Sequence, residues 1–172
     1  MKTLVSLALL AASPATASIV HSDDHDLEVS HSVLVSAEPA KALASFTNVS
    51  KWWIADHTYS GSPANLSLDA RPGGCFCERF PAGGGIEHMR VSYFEPGKYL
   101  ILTGAMGPLL HEAVNGVMIV EVEKEGGFSR LTLDYRASGF VNGGGSKFAG
   151  MVDKMLGDTI LSYQKFANVQ QP

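Results

Sequence analysis

The stretch Ser146-Lys147-Phe148-Ala149-Gly150-Met151-Val152-Asp153-Lys154-Met155-Leu156-Gly157-Asp158-Thr159-Ile160-Leu161-Ser162-Tyr163-Gln164-Lys165-Phe166-Ala167 is the only long segment of the chain with a clean helical period. Phe148, Met151, Val152, Met155, Leu156, Ile160, Tyr163 and Phe166 recur at three- and four-residue steps, which places them on one broad apolar stripe of an α-helix. Such a stripe needs a partner surface. Gly143, Gly144 and Gly145 precede Ser146, which is the expected N-cap, and a hinge is expected at these glycines. Gly150 and Gly157 lie inside the helix, each costing about 1 kcal/mol of propensity relative to Ala. Close approach is expected there, by strand side chains in a filled core or by a ligand in a cavity.

The partner surface is legible upstream. Leu27, Val29, His31, Val33 and Val35 share one parity, as in a strand that ends near Ala37. Pro39 opens a short helix through Asn48, and Val49 to Ile54 reads as a second. Trp52 and Trp53 are adjacent and must point in different directions, one plugging the core and the other reaching a cavity wall. Asp56 to Pro63 reads as a loop and Ala64 to Asp69 as a short strand, before the turn Arg71-Pro72-Gly73-Gly74. Strands are expected at Cys75 to Phe80, Ile86 to Phe94, Tyr99 to Thr103, Val117 to Glu125 and Arg130 to Ser138, joined at hairpin spacings. In the last of these, Leu131, Leu133 and Tyr135 share one face, while Arg130, Thr132, Asp134 and Arg136 share the other. The expected fold is α+β: a curved antiparallel sheet of six to seven strands wrapped around the long C-terminal helix, with two short helices after the first strand.

Composition narrows the classes of function. The chain has 172 residues, 45% hydrophobic and 17% charged, a normal make-up for one globular domain with a real core. Residues 1–17 carry Lys2, an apolar run from Leu4 to Ala12 and the A-x-A site Ala15-Thr16-Ala17, the pattern of a secretory signal peptide. The run is too short to span a bilayer, so no stable membrane insertion is expected. Export makes the mature protein secreted or periplasmic. Without Lys2 the chain has 12 basic and 17 acidic residues, a net charge of −5, with the basic residues scattered. Nucleic acid is therefore not expected as a partner. Residues 18–26, with His21 and His25 among Asp23, Asp24 and Asp26, read as a disordered lead-in, and 169–172 as a tail; the domain occupies 27–168. Asn48-Val49-Ser50 and Asn65-Leu66-Ser67 are N-glycosylation patterns that matter only in a glycosylating host.

The order strand, two short helices, meander, long helix, together with particular residues, resembles a known superfamily. The residues are Trp52-Trp53, Asp69 with Arg71-Pro72-Gly73-Gly74-Cys75-Phe76, Glu78, the Tyr93-Phe94-Glu95-Pro96-Gly97 turn, and Leu131-Thr132-Leu133. The chain is similar, over Leu27 to Ala167, to the START and birch-pollen-allergen superfamily (SRPBCC), in its branch of polyketide cyclases and activators of the large heat-shock chaperone's ATPase. The resemblance implies a helix-grip fold. The superfamily hosts carriers, receptors, cyclases and chaperone regulators, so function has to be argued from the site.

Several residue groups could carry chemistry. Parity puts Glu78 on the face of Phe76, and Glu87 on the face of Met89 and Val91, so two carboxylates are expected on one cavity wall, where one would serve as a general acid of raised pKa. The opposite parity puts Cys75 and Cys77 together, with His88 opposite Cys77, as three possible metal ligands, two plain thiols or a disulfide. Asp56, His57 and Ser60, and separately His111-Glu112, lie in loops that can sit at a cavity mouth. Ser60 lacks a nucleophile elbow, and Gly143 to Lys147 lacks the residue order of a phosphate loop.

The leading expectation is a small hydrophobic molecule bound between sheet and helix, against Trp53, Phe76, Met89, Tyr93, Met118, Tyr135, Met151 and Met155. No cofactor and no particular protein partner is expected. An enzyme of cyclase or hydrolase type using Glu78, Glu87 or His57 is the alternative. A chaperone-activating module is the third, opposed by export.

Overall fold

A computed structural model describes residues 18–169; the signal peptide expected at 1–17 and the tail residues 170–172 lie outside them. In chain order the elements are β1 (Ser18–Ser22), β2 (Asp26–Val35), α1 (Pro39–Phe46), β3 (Leu66–Leu68), β4 (Cys75–Arg79), β5 (Gly85–Glu95), β6 (Tyr99–Thr103), β7 (Asn115–Glu125), β8 (Phe128–Ser138) and α2 (Gly144–Val169). Four 3-10 turns, at Val49–Lys51, Ala55–His57, Pro63–Asn65 and Gly107–Glu112, fill the connections. Eight antiparallel strands form one sheet in the order β1-β2-β8-β7-β6-β5-β4-β3. Among the described residues no helix is long and apolar enough to cross a membrane.

The alternating strands β2, β7 and β8 turn one face inward. Val29, Val35, Val120, Leu131, Leu133 and Tyr135 are all buried there, and α2 covers them with Val152, Leu156, Ile160 and Tyr163. The helix lies mainly along β2, with further contact to β1 and β8. Trp52 is the core plug: its indole N–H donates to the Phe46 carbonyl at 3.0 Å, and its ring stands 4.9 Å from Phe46 and 5.3 Å from Tyr163 between centroids. Each such aromatic contact adds about 0.5–1.5 kcal/mol beyond area burial. The Tyr163 hydroxyl donates to the Ala42 carbonyl at 2.8 Å and so ties α2 to α1.

Several local expectations differ from the structure. Ser18–Ser22 is an edge strand rather than a disordered lead-in, paired with β2 from Ser18 opposite Ser30 to Ser22 opposite Leu27. Ladder hydrogen bonds need no apolar side chains, and the Asp23 carboxylate shapes the turn by accepting the His25 and Asp26 amides at 2.7 and 2.8 Å. This strand brings the sheet to eight rather than six or seven. The second short helix, expected over Val49 to Ile54, is a 3-10 helix at Val49–Lys51 followed by a turn at Trp52 and a bend at Trp53.

The start of α2 differs as well. The helix begins at Gly144, and Ser146 lies within its first turn, its amide donating to the Asp23 carbonyl at 2.6 Å. The glycines there form a tight junction instead of a hinge. A Cβ on Gly145 would stand 2.3 Å from the Asp23 carbonyl oxygen, and one on Gly144 would stand 2.8 Å from the Phe140 ring.

Candidate functional site

Because α2 lies over β2 and its neighbours, the far part of the sheet is roofed differently. The loop from Trp53 to Tyr59 and the turn from Met106 to His111 close over β4 and β5, and between them and the first half of α2 runs a cavity of about 590 Å³. Trp53, Phe76, Leu109, Val152 and Met155 make most of the wall, with Asp56, His57, His111 and Lys154 also on it. Its size and its mix of an apolar body with few polar groups are those of a small-molecule site.

Parity places some wall residues correctly. Phe76 points inward from β4, its ring 5.2 Å from Trp53, and Met151 and Met155 reach the cavity from α2. Trp53 is fixed by its indole N–H, which donates to the His57 carbonyl at 3.0 Å. Asp56, His57 and His111 reach the cavity as loop residues should, whereas Ser60 and Glu112 do not line it. The His57 ring stands 3.8 Å from Asp158 on α2.

Four expected wall residues lie elsewhere. Met89, Met118 and Tyr135 belong to the filled core, each at most 3% exposed. The Tyr135 hydroxyl accepts the Met106 amide at 3.3 Å, and burial raises its pKa to about 12, so it stays protonated. Tyr93 faces solvent, where its hydroxyl donates to Glu95 at 2.8 Å. The cause is an irregularity in the β5–β6 pairing between Val91 and Tyr93, which inserts Ser92 and reverses the parity of the residues after it.

A second bulge decides the polar chemistry. In the β4–β5 ladder Phe76 pairs with Met89 but Cys77 pairs with Glu87, leaving His88 as the extra residue. His88 and Met89 are consequently both buried, and Glu87 turns outward, where it pairs with Arg90. The expected carboxylate pair is therefore replaced by a carboxylate and an imidazole. His88 Nε2 stands 3.1 Å from Glu78 Oε2, with Glu78 1% and His88 5% exposed. The Tyr59 amide donates to the same carboxylate at 3.1 Å, and the Ser60 amide donates to its other oxygen.

These contacts set the protonation states. Burial pushes the Glu78 pKa up, but the bonds from Ser60, Tyr59 and His88 outweigh it and hold the group below the usual carboxylate range. Glu78 is thus ionised and is no general acid of raised pKa. For His88, burial lowers the pKa and the Glu78 charge opposes it only in part. The neutral ring is favoured. An ionised carboxylate can only accept, so Nε2 carries the ring proton, and Nδ1 is left as a buried acceptor with no partner among the described residues.

His88 is also absent from the cysteines, which face the other side of the sheet. Cys75 and Cys77 form a disulfide with Cα atoms 5.4 Å apart. Glu87 lies beside them, and the three side chains bring ligand-type atoms within 4.8 Å of one another. Oxidised sulfurs are no thiolate ligands, and Arg90 already engages the carboxylate.

Sequence reasoning missed Tyr59, Met106, Pro108 and Leu109. A signal was present in Ala105-Met106-Gly107-Pro108-Leu109-Leu110, an apolar run that Gly-Pro prevents from being a strand.

No family model matches the chain, and no curated protein matches it. Solved structures do. The Aha1 dimer from Colwellia psychrerythraea matches at TM-score 0.61 and 16% identity, covering 84% of this chain and 98% of that one. CalU16 from Micromonospora echinospora matches at 0.57 and 10%, covering 92% and 83%. The di-domain ARO/CYC StfQ of the steffimycin biosynthetic pathway matches at 0.58 and 11%, covering 86% of this chain and 52% of that one. At these identities the likeness is one of architecture: an antiparallel sheet closed on a long C-terminal helix, the helix-grip fold.

Proposed function

We propose that the protein binds a small hydrophobic molecule in the cavity between β4, β5 and α2. The observation that carries this reading is the cavity itself, about 590 Å³ and walled mainly by apolar side chains. Met151 and Met155 give the helix side an adaptable surface. Titration with 1-anilinonaphthalene-8-sulfonate, followed by its fluorescence, tests the reading. Saturable binding to the wild type, weakened at least tenfold by a wall-filling Met155→Trp of unchanged stability, is expected. Binding that ignores Met155→Trp overturns it.

Cyclase-type proton transfer is a second reading, favoured by the Glu78–His88 pair at the wall and by the likeness to StfQ. We also propose export. The signal-peptide pattern of residues 1–17 supports it, as does the Cys75–Cys77 disulfide, a bond that persists in oxidising compartments. Amino-terminal sequencing of protein recovered from its host should begin at Ser18, and an uncleaved Met1 would overturn export.

A further inference from the structure

The cavity wall holds a buried polar group that the fold leaves without a partner among the described residues. His88 lines the cavity, and its Nδ1 is buried with no hydrogen-bond partner among the described residues. The opposite nitrogen is committed to Glu78, which is itself held by the Tyr59 and Ser60 amides. Three donors on one carboxylate fix the ring's orientation and tautomer, so the free nitrogen is a pre-set acceptor. Aromatic rings surround it: Phe76 at 5.2 Å and Tyr59 at 6.0 Å between centroids, with Trp53 beyond Phe76. A buried acceptor without a donor is costly, and a ligand that supplies the donor removes the cost.

We propose that the cavity selects neutral aromatic molecules bearing a hydroxyl group, the ligand O–H donating to His88 Nδ1. This rests on the cavity-binding reading above and deepens it. Flat rings suit the walls formed by Trp53, Phe76 and Tyr59, while the hydroxyl supplies the donor that the buried Nδ1 lacks. Tyr59 is 48% exposed, so its ring can yield as the hydroxyl reaches the imidazole. Glu78 acts as a positioning residue, holding the ring with Nδ1 free.

The test compares two probes of one carbon skeleton, 2-naphthol and 2-methoxynaphthalene, by calorimetric titration of the wild-type protein at neutral pH. Binding of 2-naphthol about tenfold tighter or more than that of its methyl ether is expected, since the ether has no donor for a site built to accept one. In parallel the His88 Nδ1 nitrogen resonance should move on adding 2-naphthol and stay in place with the ether. Equal affinities, or an unmoved Nδ1 resonance at saturation with 2-naphthol, overturn the hydroxyl selection while leaving apolar binding intact. If neither naphthalene nor 1-anilinonaphthalene-8-sulfonate binds, the cavity reading falls and this inference falls with it. His88→Phe should equalise the two affinities, and the wild-type comparison decides the matter even where that variant does not fold.

Discussion

The His31 ring fills the notch that Gly157 leaves in α2. A Cβ on Gly157 would stand 3.0 Å from His31 Cε1 and 3.4 Å from Nδ1, so the helix approaches β2 only because no side chain is there. The glycine serves the packed core, not a ligand. The His31 Nε2 lies at ion-pair distance, 3.1 Å, from Asp153 Oδ1, and neither ring nitrogen has a hydrogen-bond partner among the described residues.

Gly157→Leu should therefore cost stability, by roughly 1–3 kcal/mol for overpacking, without altering affinity for a cavity probe. Gly150 is its control, because a Cβ there meets nothing within 4 Å. Gly150→Ala should stabilise by up to about 1 kcal/mol through helix propensity. Urea midpoints of the two variants check both signs.

Acid should weaken the fold earlier than carboxylate titration alone would. Burial lowers the pKa of His31, with Asp153 opposing, and lowers that of His88, with Glu78 opposing. The unfolded chain then binds more protons than the folded one just below the ordinary value of 6.5. This contribution is complete above that value and is lost as the pH falls through it toward the folded values. Urea midpoints measured from about pH 7.5 down to about pH 5 should fall, and His31→Gln should make the slope shallower. A slope identical to the wild type would refute the role given to His31.

Glu78→Gln should loosen the loop over the cavity. The amide retains one acceptor oxygen and turns a donor toward the Tyr59 and Ser60 amides, where the carboxylate accepted both and the His88 proton. A cost of about 1–3 kcal/mol is expected, with faster hydrogen exchange at Tyr59 and Ser60 than at β7 amides. Unchanged exchange at the two positions would count against the arrangement.

The disulfide should matter little to stability. Cys75 and Cys77 are two residues apart, and a loop that short restricts the unfolded chain by only about 1–2 kcal/mol. Replacing both with Ser should lower the thermal midpoint modestly and leave probe affinity unchanged, because the sulfurs lie on the face opposite Phe76 and the cavity.

The architecture was determined by the sequence alone. Alternation in Leu27 to Val35 and Arg130 to Ser138, and the helical spacing from Phe148 to Phe166, are local properties of the chain, and burial of one face turns them into a sheet closed by a helix. Trp53, Phe76, Met151 and Met155 follow from the same rules and reach the cavity. What only the tertiary structure decided was β5. One extra residue at each of two bulges turns Tyr93 to solvent and Glu87 away from Glu78, and brings His88 to Glu78 instead. A bulge is a mismatch in register between two paired strands, so no periodicity within either strand records it. The burial of Met89, Met118 and Tyr135 was likewise a tertiary outcome: strand parity turns them inward, but only the packing around them decides that they meet filled core and not the cavity.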